Sequence, residues 1–581
     1  MKASVGVAVL AALVLLAGAL QLARSGYSPD EEFTVFAVKG IEADGLPILP
    51  SGLTYDRGVA YSYAAWVARA ATGLELPAYR ALSLASAMAS LFLIFALVRR
   101  VSSDAAGLLA TLLVATSVPF WAVATTGRFY APFFATYVGA LLALSTLGTG
   151  RTPGTPGTLG TLGTLAAVGR GLHELAFTLI AIPAVVFFLA PKMERRIWWR
   201  ATLAVGAGLA LAQVGIFALH YLAPFSGETM IRRFFLWQIV NLFEVPPPRQ
   251  FGVALVAMVL AWLVAPRRAG LIAVAGLSGA AMVLAFALAR ATNTAPLSIE
   301  LASAIAIEGS RYPLDMFWHI AREYPIAAIA GVGTLMARLA GAEWRAEERA
   351  LHALWIGWVL WFGVIESGIT VNYLLIPISM LLMVIAVDLT AILRFTIPAS
   401  VPRGLAFRLV VTILALSGIV GDQWRGDGSL AERLEAARPT IVAPGIEDFR
   451  AGLQPSDRIA CTDELACLLL VGRADAWLAL DDYVRERFAV KMGDELPVGV
   501  YAGTPAVFRP ADLFALSPDG TAPERTFVID VFKEYPIGNS RSWLPRAIEA
   551  DGLQVRPILE TDQLRVLEVA PAQALARRQW K

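Results

Sequence analysis

The chain has 581 residues, 57% of them apolar and only 16% charged, with a mean hydropathy of +0.62 and a net charge of +2. That composition excludes an ordinary soluble enzyme and reads as a polytopic membrane protein. With no run of Lys and Arg interleaved with aromatics, it gives no reason to expect a nucleic-acid partner.

Met1 to Leu22 carries one lysine and a long apolar run. The Gln21-Leu22-Ala23 end fits a cleavage site poorly, so a retained first span is expected. A polar island follows, Ser28 to Tyr63, opening on three adjacent carboxylates, Asp30, Glu31 and Glu32. Carboxylates held beside a bilayer are costly unless solvated, paired or used, which makes this cluster a candidate for proton transfer; the bland alternative is a solvated loop. Gly45, Pro47, Pro50 and Gly52 fix a turn-rich path, and Arg57 then sits among Tyr55, Tyr61, Tyr63 and Trp66.

Further spans are expected at Ala81 to Val98, Ala105 to Trp121 and Pro132 to Leu147. Thr152 to Leu165 is a low-complexity Thr-Gly-Pro repeat, read as a cytoplasmic loop running into the next span and given no chemistry. Leu159 to Ala190 is too long for one straight span and contains Arg170, His173 and Glu174, so two short spans meeting at a polar tip are expected. The later spans fall at Ala201 to Leu219, Phe251 to Val264, Gly270 to Ala289, Ile326 to Leu339, Leu351 to Ile365, Tyr373 to Ile392 and Leu405 to Val420. With the split, the loops carrying Arg99-Arg100, Lys192 to Arg200, Arg267-Arg268, Arg338 to Arg349 and Arg394 to Arg408 share the cytoplasmic side. The expectation is a mostly α bundle of about thirteen helices in an inner (plasma) membrane of bacterial type, amino terminus inside, carboxyl terminus outside.

From Gly421 onward charge becomes frequent, and short runs rich in Val, Ile and Phe alternate with polar pieces such as Leu430 to Arg438. This reads as an outer α/β domain over 421–581, beside a membrane domain over 1–420 whose outer loop is 24–80. Cys461 and Cys467 both lie there; their spacing does not establish a bridge, and two buried free thiols are the reading slightly preferred over one. The sequence shows no metal signature and no phosphate loop in this domain. A divalent cation stays open, and no other cofactor is implied.

These residues resemble the GT-C superfamily of membrane glycosyltransferases, specifically the protein O-mannosyltransferase-like and lipid A aminoarabinose transferase-like group. Asp30-Glu31, the Gly45 to Gly52 segment with Pro50, Arg57 with Tyr61, Arg128-Phe129-Tyr130, and the Gly171-Leu172-His173-Glu174 tip carry the resemblance. Two departures are Arg57-Gly58-Val59 where the group often has Lys-Pro-Pro, and Asn372-Tyr373 where it often has Arg-Tyr. The resemblance implies a polyprenyl-phosphate-linked sugar as donor and a lipid, glycan or protein hydroxyl as acceptor, with inversion at the outer face. Asp30 is then the expected base, with Glu31 orienting the acceptor or tuning Asp30. Arg57 and Arg128 are the leading phosphate partners, with Lys39 and Arg311 behind them. Tyr61, Tyr130, His173 and Glu174 are candidate donor or acceptor contacts; His173 alternatively caps the hairpin, and Tyr61 and Tyr63 alternatively join an interfacial aromatic belt. Two rival classes are a flippase for a lipid-linked sugar and a non-catalytic envelope-assembly protein.

Overall fold

The computed structural model describes residues 3–22, 26–28, 30–147, 155–189, 194–222, 324–341, 350–355, 371–396, 417–421, 444–480, 497–514, 523–531, 540–561 and 564–571, with single or paired residues between these stretches. Its described residues form two compact units. The first takes in Met1–Leu22, Tyr79–Phe217 and Gly227–Ala437, and the second Ala23–Ala78, Ala218–Ser226 and Arg438–Lys581.

In the first unit, helices α1 (Ala3–Leu22), α4 (Leu76–Val101) and α7 (Tyr130–Leu147) follow the long apolar runs. Helices α2 (Glu31–Asp44) and α3 (Val59–Thr72), which come between α1 and α4 in the chain, belong to the second unit. Among the described residues five helices are long and apolar enough to cross a membrane, or six if a bent pair counts as one span. That pair, α5 (Asp104–Ala115) and α6 (Val118–Ala124), corrects the single span expected over Ala105 to Trp121. Ser103 caps α5 by accepting the Ala106 amide, and Pro119 in the first turn of α6 restarts the helix after a 67° bend. The expected spans at Phe251 to Val264 and Gly270 to Ala289 lie outside the described residues, as do Leu430 to Arg438 and most of Leu351 to Ile365 and Leu405 to Val420.

The low-complexity repeat is also corrected, because it is helical from Pro156. Thr155 accepts the Thr158 amide and starts α8 (Pro156–Leu172), which ends at His173 before a short 3-10 turn, Glu174–Phe177, and α9 (Thr178–Leu189). The repeat's glycines let α8 lie against α10 (Arg195–Leu222): a Cβ on Gly208 would collide with the Gly163 backbone, so only small residues permit this close approach. Helices α11 (Pro325–Gly341) and α12 (Val371–Thr396) pack together, and α12 also lies against α5 and α6. From Leu374 to Val387 α12 is buried all round, whereas α1 exposes Leu13, Leu15, Leu16 and Leu20, as a lipid-facing helix should.

In the second unit the acidic segment, expected as a turn-rich loop, is largely helix α2 followed by α3. Val35, Val38 and Ile41, at helical spacing, give α2 a buried face, and Glu31 and Glu32 stand in its first turn, where the helix end favours negative charge. The rest is a six-stranded sheet ordered β5-β2-β1-β6-β8-β7, built from β1 (Arg458–Cys461), β2 (Ala476–Leu478), β5 (Ala506–Val507), β6 (Thr526–Val531), β7 (Leu553–Glu560) and β8 (Leu564–Pro571). The first four strands in that order run parallel, and β8 and β7 close one side antiparallel. Along β6 the side chains alternate: Phe527, Ile529 and Val531 join one core with Ile459 and Val566, and Val528 joins another with Leu544, Ile548 and Leu567. Both faces are therefore covered, as a parallel sheet requires. After the short helix α13 (Ile446–Ala451), Cys461 and Cys467 are bonded, their Cα atoms 6.3 Å apart, tying β1 to α14 (Glu464–Leu470). A short two-stranded ribbon, β3 (Ala489–Val490) with β4 (Val498–Gly499), lies beside the sheet.

Candidate active site

The acidic end of α2 has an unusual backbone. Asp30 immediately precedes the helix at φ 73°, and among the described residues it alone enters the left-handed region without being glycine. That conformation costs an ordinary residue roughly 1–2 kcal/mol, less for Asp or Asn. Its half-buried carboxylate caps no amide of α2. Glu31 does the tying instead: it is fully buried and accepts the Ser28 amide at 2.7 Å, while its own amide donates to the Ser28 carbonyl at 3.0 Å. The result is one carboxylate locked in place and a neighbour turned out of the helix.

Arg57 stands half-buried just before Gly58, which opens α3 at φ 78°. Its neighbour Asp56 is 4% exposed and lies 3.5 Å from His220 Nε2, at the end of α10, while the Thr54 hydroxyl donates to the Leu219 carbonyl at 3.3 Å. Tyr61 is buried at 1% exposure, which does not suit an interfacial belt, and the Tyr63 hydroxyl donates to the Gly45 carbonyl at 2.9 Å. Lys39 is exposed further along α2, its ammonium 5.3 Å from the Phe36 ring. Arg311 lies outside the described residues.

Arg128, Tyr130, His173 and Glu174 belong to the first unit. The first three form one cluster. The Arg128 guanidinium lies 4.7 Å from the Phe129 ring centre and 5.9 Å from that of Tyr130, and the His173 ring packs at 5.2 Å, 6.0 Å and 5.3 Å from Phe129, Tyr130 and Phe133. His173 Nδ1 accepts the Leu175 amide at 3.0 Å, so the residue caps the 3-10 turn and its neutral ring carries its proton on Nε2. Glu174 is half-buried as the first residue of that turn. Ser83 on α4 donates to the Arg128 carbonyl at 3.0 Å and fixes this connection.

Further polar groups are buried, and Arg80, His352, Asp388 and Glu464 among them escaped the sequence reading. Arg80 is fully buried, and Arg170, at 1% exposure, donates through Nε to Gln213 at 2.7 Å. His352 and Asp388, both fully buried, meet at 2.8 Å, and His352 Nδ1 lies 2.8 Å from the Glu348 carbonyl. An ionisable residue inside an apolar run was the available signal for Asp388. The Trp358 indole donates to the Tyr137 hydroxyl at 3.0 Å. In the sheet domain burial pushes the Glu464 carboxyl up to about 7, against the opposing donors Ala502, Thr504 and Tyr501 and with a smaller upward push from Asp463. Among the described residues no group of three or more His, Cys, Asp and Glu side chains is placed to hold a metal ion.

No protein-family model matches the chain, and no curated protein matches its sequence. Solved structures do match. The apo oligosaccharyltransferase of Archaeoglobus fulgidus is 12% identical, with 90% of this chain and 70% of that one covered and a TM-score of 0.54. Apo ArnT from Cupriavidus metallidurans is 12% identical over 98% of both chains, with a TM-score of 0.46. The mycobacterial arabinofuranosyltransferase AftD is 15% identical over 97% of this chain and 39% of that one, also at 0.46. With its apolar helices and its sheet unit, the chain shares the fold of that oligosaccharyltransferase.

Proposed function

We propose that the protein is a membrane glycosyltransferase that moves a sugar from a polyprenyl-phosphate donor to an acceptor hydroxyl at the outer face of the membrane. The observation that carries this reading is the geometry at Asp30: a carboxylate held in a strained turn by a buried neighbour, capping nothing, on a fold shared with an oligosaccharyltransferase. In the reaction the acceptor oxygen attacks the anomeric carbon from the face opposite the phosphate. Asp30 takes the hydroxyl proton as the new C–O bond forms, and the bond to phosphate breaks with its electron pair leaving on the polyprenyl phosphate. Configuration at that carbon inverts. Glu31, with its oxygen already on the Ser28 amide, holds the turn that aims Asp30.

Arg57 and Arg128 are the guanidinium groups proposed for phosphate, each from its own surroundings. Arg57 lies at the opening of α3, and Arg128 stacks on Phe129 and Tyr130, which orients its planar guanidinium. Tyr61, Tyr130 and Glu174 are proposed to shape the surroundings of donor and acceptor. His173 serves the turn it caps. A multi-pass arrangement of about thirteen spans, with the sheet domain outside, belongs to the same proposal.

The test is transfer itself. Purified protein is incubated with a panel of polyprenyl-phosphate sugars and hydroxyl acceptors, and release of polyprenyl phosphate is followed together with the configuration of the new glycoside. Sugar-dependent release with inversion is expected. No transfer or hydrolysis with any donor, from protein that is folded and inserted, contradicts the proposal.

A further inference from the structure

Glu464 opens α14 in the sheet domain at 4% exposure, far in sequence from the acidic segment. Its Oε1 accepts two backbone amides from one tight turn, Tyr501 at 3.2 Å and Ala502 at 3.0 Å. The turn is folded around that carboxylate: Gly503 returns its amide to the Gly499 carbonyl at 2.9 Å, and a Cβ on Gly499 would collide with the Glu464 carboxylate. Buried carboxylates are retained where donors compensate them, and here the donors are the backbone of the turn.

The outward side of the same turn holds the acidic segment. The Ser51 amide donates to the Tyr501 carbonyl at 3.2 Å, and the Ser51 hydroxyl to the Val500 carbonyl at 2.7 Å. The Ser51 hydroxyl also accepts the Leu53 amide at 3.2 Å, so the two segments share one network. The Tyr501 ring meets Phe33 edge-on at 4.9 Å, and Phe33, in the first turn of α2, stacks on Tyr55 at 5.4 Å. Phe33 in turn donates its amide to the Asp30 carbonyl at 3.3 Å. A continuous path of contacts therefore runs from Glu464 through the 500–503 turn to the backbone of Asp30.

We propose that Glu464 is a positioning residue for Asp30, so that the sheet domain is a working part of the catalytic apparatus as well as any seat for the acceptor. The proposal rests on the reading of Asp30 as the base. Its physical content is that the amides of Tyr501 and Ala502 need a fixed acceptor. Without one the turn loosens, Phe33 and Ser51 lose their support, and the backbone around Asp30 leaves the geometry that aims its carboxylate.

The test uses the full-length protein in lipid nanodiscs and two readouts. Hydrogen exchange over residues 28–33 and 497–505 is compared among wild type, Glu464→Ala and Glu464→Gln, with no sugar donor present; transfer kinetics follow. Glu464→Ala is expected to raise exchange in both segments by roughly 5–30-fold, the effect of losing one or two hydrogen bonds. It is also expected to lower kcat by on the order of 10²-fold with KM little changed. Glu464→Gln keeps an oxygen acceptor for both amides and is expected to restore exchange and kcat. If Glu464→Ala does not fold, Ser51→Ala on the other side of the turn is expected to raise exchange over 28–33 alone. Unchanged exchange over 28–33 in these variants, or a kcat defect that Glu464→Gln does not repair, overturns the proposal. Exchange that responds as expected in protein that transfers no sugar at all supports the coupling and overturns the glycosyltransferase reading instead.

Discussion

Asp30 and Asp388 carry the same side chain in opposite circumstances. Asp388 lies in a fully buried stretch of α12, with His352 2.8 Å away, and stitches two helical segments together. Asp30 is half-buried at the edge of a helix, in a backbone conformation that few side chains accept, and it caps nothing. The contrast separates two uses of a carboxylate. One with its charge met by a fixed partner contributes to the fold, and changing it should unfold the protein. One held out by its neighbours is the one proposed as base, and changing it should leave the fold intact. Glu464 lies between: it is buried, as Asp388 is, but its partners are backbone amides of a turn.

The contrast can be broken first in the helical unit. Asp388→Ala removes the partner of a buried histidine and should destabilise that unit by about 3–5 kcal/mol, read as a large drop in the thermal midpoint. Asp388→Asn, which still offers an oxygen, should lose much less. A midpoint unchanged in Asp388→Ala would remove the distinction between the two aspartates.

Glu464 gives the next effect, through pH. Its folded carboxyl titrates at about 7 against an ordinary value of 4.5, so the group favours folding below pH 4.5, and that contribution is lost as pH rises through about 7. Relative to Glu464→Gln, which cannot titrate, the wild-type sheet domain should lose on the order of 3 kcal/mol between pH 4.5 and pH 8. Denaturant unfolding at a series of pH values measures the difference, and a flat difference would place the carboxyl in water.

A smaller effect is expected at the bridge between Cys461 and Cys467. Opening so short a loop by Cys461→Ser with Cys467→Ser should cost about 2 kcal/mol in the second unit. The smallest belongs to the surface. Arg69 pairs with Glu42 at 2.7 Å, with both side chains about a third exposed, and Arg69→Ala should change stability by about 0.2–1 kcal/mol, less at high salt. It serves as the control for any charge removed from the α2–α3 pair.

Much of this was written in local sequence. Three carboxylates after an apolar run mark the candidate site segment, the break at His173 announces itself by polar residues inside a greasy stretch, and the short apolar run over Thr526 to Val531 gives a buried strand. What escaped depends on partners distant in sequence or on backbone angles. Asp388 was hidden inside a run of apolar residues because His352, the residue that explains it, lies 36 positions away on another segment. The Thr-Gly repeat looked like filler because its function is to be small where α10 passes, and a sequence shows composition before it shows closeness. The left-handed turn at Asp30 leaves no local mark, since Asp is common in ordinary helix caps. Glu464 and Ser51 meet the 500–503 turn from opposite sides over more than 400 residues of intervening chain, so no spacing rule reaches them.

Asp30 is proposed to accept the acceptor's proton. The most direct measurement is the ratio of wild-type to Asp30→Asn turnover on one donor and acceptor, with both proteins purified in the same lipid and shown to share an unfolding midpoint. If Asp30 is the base, a loss on the order of 10²–10⁴-fold with an unchanged midpoint is expected. Turnover within a factor of about two of wild type would contradict it, because catalysis by a general base does not survive the loss of that base at so small a cost.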